Sequence, residues 1–267
     1  MLVELMVKRY QRVIKSAGVI LLLAIFLFGI VAGYHFFDQG RAWEQVREGK
    51  FSAAAFFFHR GNYFFGGGAY DLEAAMRNYE WALRFENSSS EPILYQIGRL
   101  YFIKGDLRGA VKTFNEQLQA DPTFMRSYYM RGLTYGYIGD YVQAAADFKK
   151  FIEWRPESWA AHNDLVWAYF LAGNYDAAEN YARAGLLYNP KNPWLSNALG
   201  AILLNQKKYQ EALLFLADAQ NGFATMTENE WGQAYPGNNP EIYHRGLEAT
   251  RQSVEDNIRL VEQALAR

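Results

Sequence analysis

Histidine, aspartate, glutamate and serine are the side chains here that could do hydrolytic or metal chemistry, since cysteine is absent. Without a thiol there is no disulfide, zinc–thiolate site, iron–sulfur cluster or cysteine nucleophile. The four histidines, His35, His59, His162 and His244, stand far apart in the chain. No HExxH pair puts two imidazoles on one helix face. His162 falls where a side chain packs between helices, so a packed histidine is expected there rather than a ligand. Gly66-Gly67-Gly68 lacks the Gly-Lys-Ser/Thr that completes a phosphate loop and follows no strand pattern, so it reads as a turn. A Gly-x-Ser-x-Gly nucleophile elbow is absent as well. Asp140 and Asp147 fall on a turn and on an exposed helix face, where solvated charge is the default. Asn87-Ser88-Ser89 fits a glycosylation sequon, which matters only in a eukaryotic secretory setting. The expectation is a non-enzyme without cofactor or metal.

The elements that carry these residues follow from composition and spacing. At 267 residues the chain can hold one or two ordinary domains, and its formal charge of −1 offers no basic field for nucleic acid. Aromatics make up 17% of residues while proline occurs only 7 times, a mix that supplies large packing groups and few helix breakers.

From Ala17 to Phe37 there is no charged residue. Such a run, as a helix rising ~1.5 Å per residue, spans about 31 Å, close to a hydrocarbon core of roughly 30 Å. Lys8, Arg9, Arg12 and Lys15 precede it closely, and Asp38 comes first on the far side. The positive-inside tendency therefore predicts a single-pass protein with a cytoplasmic basic tail (1–16), a membrane helix (17–37) and a periplasmic or otherwise extracytoplasmic body. Tyr34, His35, Phe36 and Phe37 would stand at the outer interface. A cleaved signal peptide is the rival reading, with Val31-Ala32-Gly33 as its small-residue site, but the apolar run is long for one. A short linker or helix is expected over 38–53.

Self-similarity settles the rest. Glu91–Phe124, Met125–Ser158, Trp159–Asn192 and Pro193–Met226 align without gaps at a spacing of 34. Position 8 reads Gly98, Gly132, Val166, Gly200; position 20 reads Ala110, Ala144, Ala178, Ala212. Position 11 reads Tyr101, Tyr135, Tyr169, Leu203; position 24 reads Phe114, Phe148, Ala182, Leu216; position 32 reads Pro122, Pro156, Pro190, Ala224. Small residues at 8 and 20 let two antiparallel helices approach, with larger groups beside the contact. Gly105-Asp106, Gly139-Asp140 and Gly173-Asn174 predict a left-handed helix end followed by a side-chain cap. Arg131 at the apolar position 7 and Val166 at position 8 are departures, and the fourth block is weaker. A looser copy covers 54–89, with Gly61, Phe64, Ala75, Tyr79 and Ala82 in register if its turn holds two extra residues. Asn221 to Pro240, with Gly, Asn and Pro, reads as a long loop centred on 227–239. Residues 240–267 then read as a capping helix with Tyr243, Leu247, Val254, Ile258, Val261 and Leu265 on its apolar face.

On these residues the chain resembles the tetratricopeptide (TPR) family over about 54–226. The resemblance implies an all-α right-handed superhelical solenoid of antiparallel helix pairs. It also implies a concave groove lined by the first helix of each repeat, and a role in binding proteins. Carried over position by position, the groove residues are Tyr95, Arg99, Phe102, Tyr129, Tyr137, Asn163, Trp167, Phe170, Trp194 and Asn197. Such a surface is aromatic and suits a protein or peptide partner with apolar side chains. Asn163 and Asn197 could exchange hydrogen bonds with an extended peptide or simply face solvent; the aromatics could bind or pack. The chaperone-tail clamp of some relatives, a Lys/Asn/Arg set, is not matched by Tyr95 with Arg99 or Tyr129 with Leu133. The loop could also occupy the groove itself through Trp231 and Tyr235. The functional expectation is a membrane-anchored scaffold or adaptor, with a permanent accessory subunit of a membrane complex as the alternative and a hidden enzymatic site as a remote one.

Overall fold

The computed structural model describes residues 53–67, 70–85, 92–234 and 243–267. Among these the secondary structure is helical, with no strand. Residues 1–91 and 92–267 form two compact units. The expected membrane span, 17–37, lies outside the described residues, and so does the linker before Ala53. Among the described residues no helix is long and apolar enough to cross a membrane.

In the first unit α1 (Ala53–Asn62) runs into a π-helical turn, Tyr63–Gly67, and pairs with α2 (Leu72–Arg84). A π-turn accommodates an inserted residue within a helix. The two extra residues were expected in the turn from Gly66 to Asp71, which the π-turn overlaps only at Gly66 and Gly67; residues 68 and 69 lie outside the described residues. Asp71 then caps α2 by accepting from the Ala74 amide at 2.9 Å.

The second unit contains four successive hairpins. They are α3 (Ile93–Ile103) with α4 (Leu107–Ala120), and α5 (Met125–Ile138) with α6 (Tyr141–Trp154). Next come α7 (Trp159–Leu171) with α8 (Tyr175–Tyr188), and α9 (Pro193–Asn205) with α10 (Tyr209–Thr225). Each helix packs on its neighbours in sequence, which is how modules too small to bury their own apolar faces share one core. The turns are built as the spacing predicts. Gly105, Gly139 and Gly173 adopt φ of 81°, 92° and 77°. Asp106, Asp140 and Asn174 accept from the amides three residues on at 2.9, 3.2 and 3.2 Å. In the fourth hairpin Lys207 stands where the others have glycine, with φ of 62°, and no side chain caps α10. A left-handed non-glycine residue costs about 1–2 kcal/mol. The weaker fourth block is thus weaker in its turn chemistry.

Inside each hairpin the close contact joins positions 8 and 24. A Cβ added to Gly98 would lie 2.6 Å from the Phe114 ring, one on Gly132 2.9 Å from Phe148, and one on Gly200 2.6 Å from Leu216. Gly61 meets Tyr79 the same way at 2.5 Å. Only glycine leaves room for the large group. In the third hairpin both partners change together: Val166 faces a core that contains Ala182, and both are fully buried. The departure at Val166 is therefore a volume exchange.

The other departure, Arg131, is also answered across the hairpin. Its guanidinium donates to both Asp147 oxygens at 2.7 Å and to Asn115 Oδ1 at 2.6 Å. Asp147 is buried, which corrects the expectation of a solvated carboxylate. Burial raises its pKa against the lowering pull of Arg131.

The long loop expected from Asn221 to Pro240 is corrected too. Helix α10 continues to Thr225, because Gly222 lies against Pro193 where a Cβ would come within 2.7 Å. Glycine here serves close packing, not a chain break. Thr227 and Glu230 then form a capping box that starts α11 (Glu228–Gln233). The final helix, α12 (Tyr243–Leu265), buries Leu247, Val254 and Val261 against the end of the array, while Leu265 is exposed.

Candidate protein-binding groove

The first helices of the four hairpins in the second unit, α3, α5, α7 and α9, contribute to one cavity of about 210 Å³. Arg99 and Phe102 come from α3, Tyr129 and Tyr137 from α5, Trp159, Asn163 and Asp164 from α7, and Trp194 from α9. Sequence-distant residues meet because first helices of successive repeats stack side by side. Trp159 and Trp194 stack with centroids 4.7 Å apart, and Phe102 meets Tyr137 edge-on at 5.2 Å. Tyr137 is 74% exposed, so its ring is available to an incoming side chain.

At the wall stands Asp164. It accepts from the Tyr129 hydroxyl at 2.6 Å, and the Asn163 side chain also hydrogen-bonds to it. Both neighbours are uncharged. Burial raises the carboxyl pKa, these two hydrogen bonds offset only part of that rise, and the group is left at about 6. Asp164 and Tyr137 also line an adjoining cavity of about 230 Å³ whose wall includes Trp167. Asn163 Oδ1, Trp194 Nε1 and Asn197 Oδ1 are enclosed with no hydrogen-bond partner among the described residues.

Of the groove residues read from the repeat positions, Arg99, Phe102, Tyr129, Tyr137, Asn163 and Trp194 line the first cavity and Trp167 the second. Tyr95 packs between Phe114 and Phe124, at 6.2 and 5.1 Å, and burial raises its pKa. Phe170 packs edge-on against Trp167 and Tyr175, each at 5.3 Å. Asn197 lines neither cavity. Sequence reasoning missed Asp164 and Trp159. The signal was present: Tyr129 and Asp164 are one residue more than a repeat apart, the offset that brings adjacent first helices together.

The segment after α10 reaches the groove only in part. Ala234 lines the cavity, and Gln233 stands beside Trp159 and Trp194. Trp231 instead packs over Gly246 and donates to Thr250 Oγ1 at 3.1 Å, so it belongs to the contact with α12. Tyr235 lies outside the described residues. His162 is buried with Nε2 2.9 Å from the Pro156 carbonyl. A carbonyl only accepts, so Nε2 carries the hydrogen. This histidine is a packing residue. Among the described residues no cluster of three or more His, Asp or Glu could hold a metal ion.

Comparison with known proteins agrees with this architecture. Residues 91–124 and 139–193 each match a tetratricopeptide-repeat model, so the chain carries such repeats. A MamA fragment from Desulfovibrio magneticus RS-1 shares the fold at a TM-score of 0.58 with 19% identity, over 63% of this chain and 94% of that one. Anaphase-promoting complex subunit 3 of Schizosaccharomyces pombe is 29% identical over 106 residues, which is 40% of this chain and 16% of that protein. A STIP1 homolog of Dictyostelium discoideum is 29% identical over 114 residues, 43% of this chain and 20% of that protein. The chain thus spans a fifth or less of the curated relatives it matches.

Proposed function

We propose that this protein is a membrane-anchored TPR scaffold that recruits or assembles other proteins, holding them in the groove between α3 and α9. One observation carries the reading: six groove residues from four repeats converge on a single aromatic cavity with an open rim. Likeness to a protein named as a subunit of the anaphase-promoting complex supports a protein-binding role. The anchor at 17–37 and the extracytoplasmic placement of the repeats rest on hydropathy and flanking charge alone.

A photo-crosslinking amino acid at Tyr137 in native membranes tests the groove, with Leu187, 84% exposed on α8, as the control position. Specific adducts at Tyr137 and none at Leu187 are expected. Adducts equal at both, or at neither, overturn the reading. Adducts that co-purify at fixed stoichiometry after detergent extraction would reassign the protein as a permanent subunit of a membrane complex. Retention in the membrane after alkaline carbonate washing, lost on deleting 17–37, checks the anchor; protease access in intact cells checks its orientation.

A further inference from the structure

We propose that the groove seats one basic side chain, a lysine or arginine of an extended partner segment, against Asp164. The proposal rests on the groove being the partner-binding face, and it specifies what that partner must carry. Asp164 is an acidic group on the wall of a cavity, and among the described residues its hydrogen-bond donors are a phenol and an amide. No cation of this chain pairs with it among the described residues. Arg99 lines the same cavity, but its guanidinium donates to Gln96 Oε1 at 2.9 Å and lies over the Tyr95 ring at 5.8 Å. The other titratable groups on the two cavity walls are Tyr129, Tyr137 and Tyr141.

The rest of the lining suits the same occupant. A cation near ring faces is attracted by their quadrupoles, most strongly by tryptophan, and Trp159 and Trp194 form a stacked pair in the wall. The aliphatic stem of lysine or arginine buries against apolar surface while its head donates several hydrogen bonds and accepts none. That is the inverse of what the wall offers: a carboxylate, and beside it the unmet acceptor of Asn163. The volume of about 210 Å³ exceeds the roughly 150 Å³ that accepts a benzene ring elsewhere. One long side chain fits. A neutral apolar side chain would fill the space and leave an ionised carboxylate buried without a counter-charge, so charge complementarity favours the basic one.

The test selects peptides from a random displayed library on the full chain in detergent, using wild type and Asp164→Asn in parallel. Wild type is expected to enrich peptides with one basic residue at a fixed place among apolar neighbours. Asp164→Asn is expected to keep the apolar pattern and lose the basic residue. In synthetic versions, exchanging that residue for norleucine should weaken wild-type binding about tenfold and Asp164→Asn binding less than about twofold. Asp164→Ser serves if Asp164→Asn is not folded by circular dichroism. Peptides without a basic position, or with one kept by the variant, overturn the proposal and leave the groove reading standing. Enrichment of nothing on either protein overturns both.

Discussion

The hairpins α5–α6 and α7–α8 share a plan and differ in how they treat an aspartate drawn out of solvent, buried at Asp147 and half-buried at Asp164. On α6, Asp147 faces Arg131 across the hairpin in a two-point pair, with side chains 7% and 19% exposed. On α7, Asp164 faces the preceding repeat and receives only neutral donors. Both carboxyls are raised in pKa by burial. A charge removed from water is tolerated when a partner and further hydrogen bonds satisfy it. Asp147 has that partner within its own module, and the pair closes the seam. Asp164 has no charged partner among the described residues, and it opens on a cavity. The contrast separates a charge kept for folding from a charge held toward a groove, and the groove one sits at a cost to the free protein.

The largest effect should come from breaking the satisfied pair. Arg131→Leu leaves Asp147 buried alone and is expected to lose about 3–5 kcal/mol, read as a lower urea midpoint of the full chain. Adding Asp147→Leu should return most of it, because positions 7 and 23 are apolar or neutral in the other hairpins (Ile97 with Thr113, Leu165 with Tyr181, Leu199 with Phe215). A double variant no better than the single would show that the pair does more than cancel itself.

Asp164→Asn should act in the opposite direction. The folded pKa of Asp164, about 6, lies above the ordinary 3.8, so between those values the folded state binds the extra proton. Stability from this group is therefore highest below about pH 4, falls as pH rises through 6, and is flat above. A gap of about two pH units corresponds to roughly 2–3 kcal/mol. Asparagine can still accept from Tyr129 and carries no charge. The variant should exceed wild type by that order at pH 8 and match it near pH 4. A constant difference across that range would mean that the carboxylate is not what burial penalises.

Which of these features could be read in the chain depends on where their causes lie. The turns were legible because Gly-Asp and Gly-Asn act within a few residues, and the phase of Gly98, Gly132 and Gly200 marked the seam of each hairpin. Arg131 looked like a misfit because its answer, Asp147, stands on the next helix, and pairing across a hairpin is invisible to a pattern read along one helix. Asp164 was missed for the same reason one level up, since its partner Tyr129 belongs to the preceding repeat. Gly222 misled. A glycine beside Asn221 has the composition of a loop, and only the approach of Pro193 shows it to be packed in a helix. Thr227 with Glu230 was a readable capping box that the loop reading passed over.

The smallest of these effects tests whether the two hairpins are variants of one packing rule. In α5–α6 the rule is glycine at position 8 and a ring at 24; in α7–α8 it is Val166 and Ala182. Ala182→Phe alone pushes a ring into space that Val166 fills, an overpacking expected to cost about 1–3 kcal/mol. Val166→Gly alone removes buried methyls and puts glycine inside a helix, at about 1 kcal/mol for the backbone and more for the cavity. Together they rebuild the neighbouring hairpin's arrangement, so the double variant should be more stable than the sum by at least about 1 kcal/mol. Urea midpoints of the four proteins give that coupling directly. Additivity within about 0.5 kcal/mol would mean that Val166 and Ala182 do not compensate for one another. The third hairpin would then owe its fit to the rings around it, Tyr169 and Tyr181 stacked at 5.4 Å, and not to the exchange at its seam.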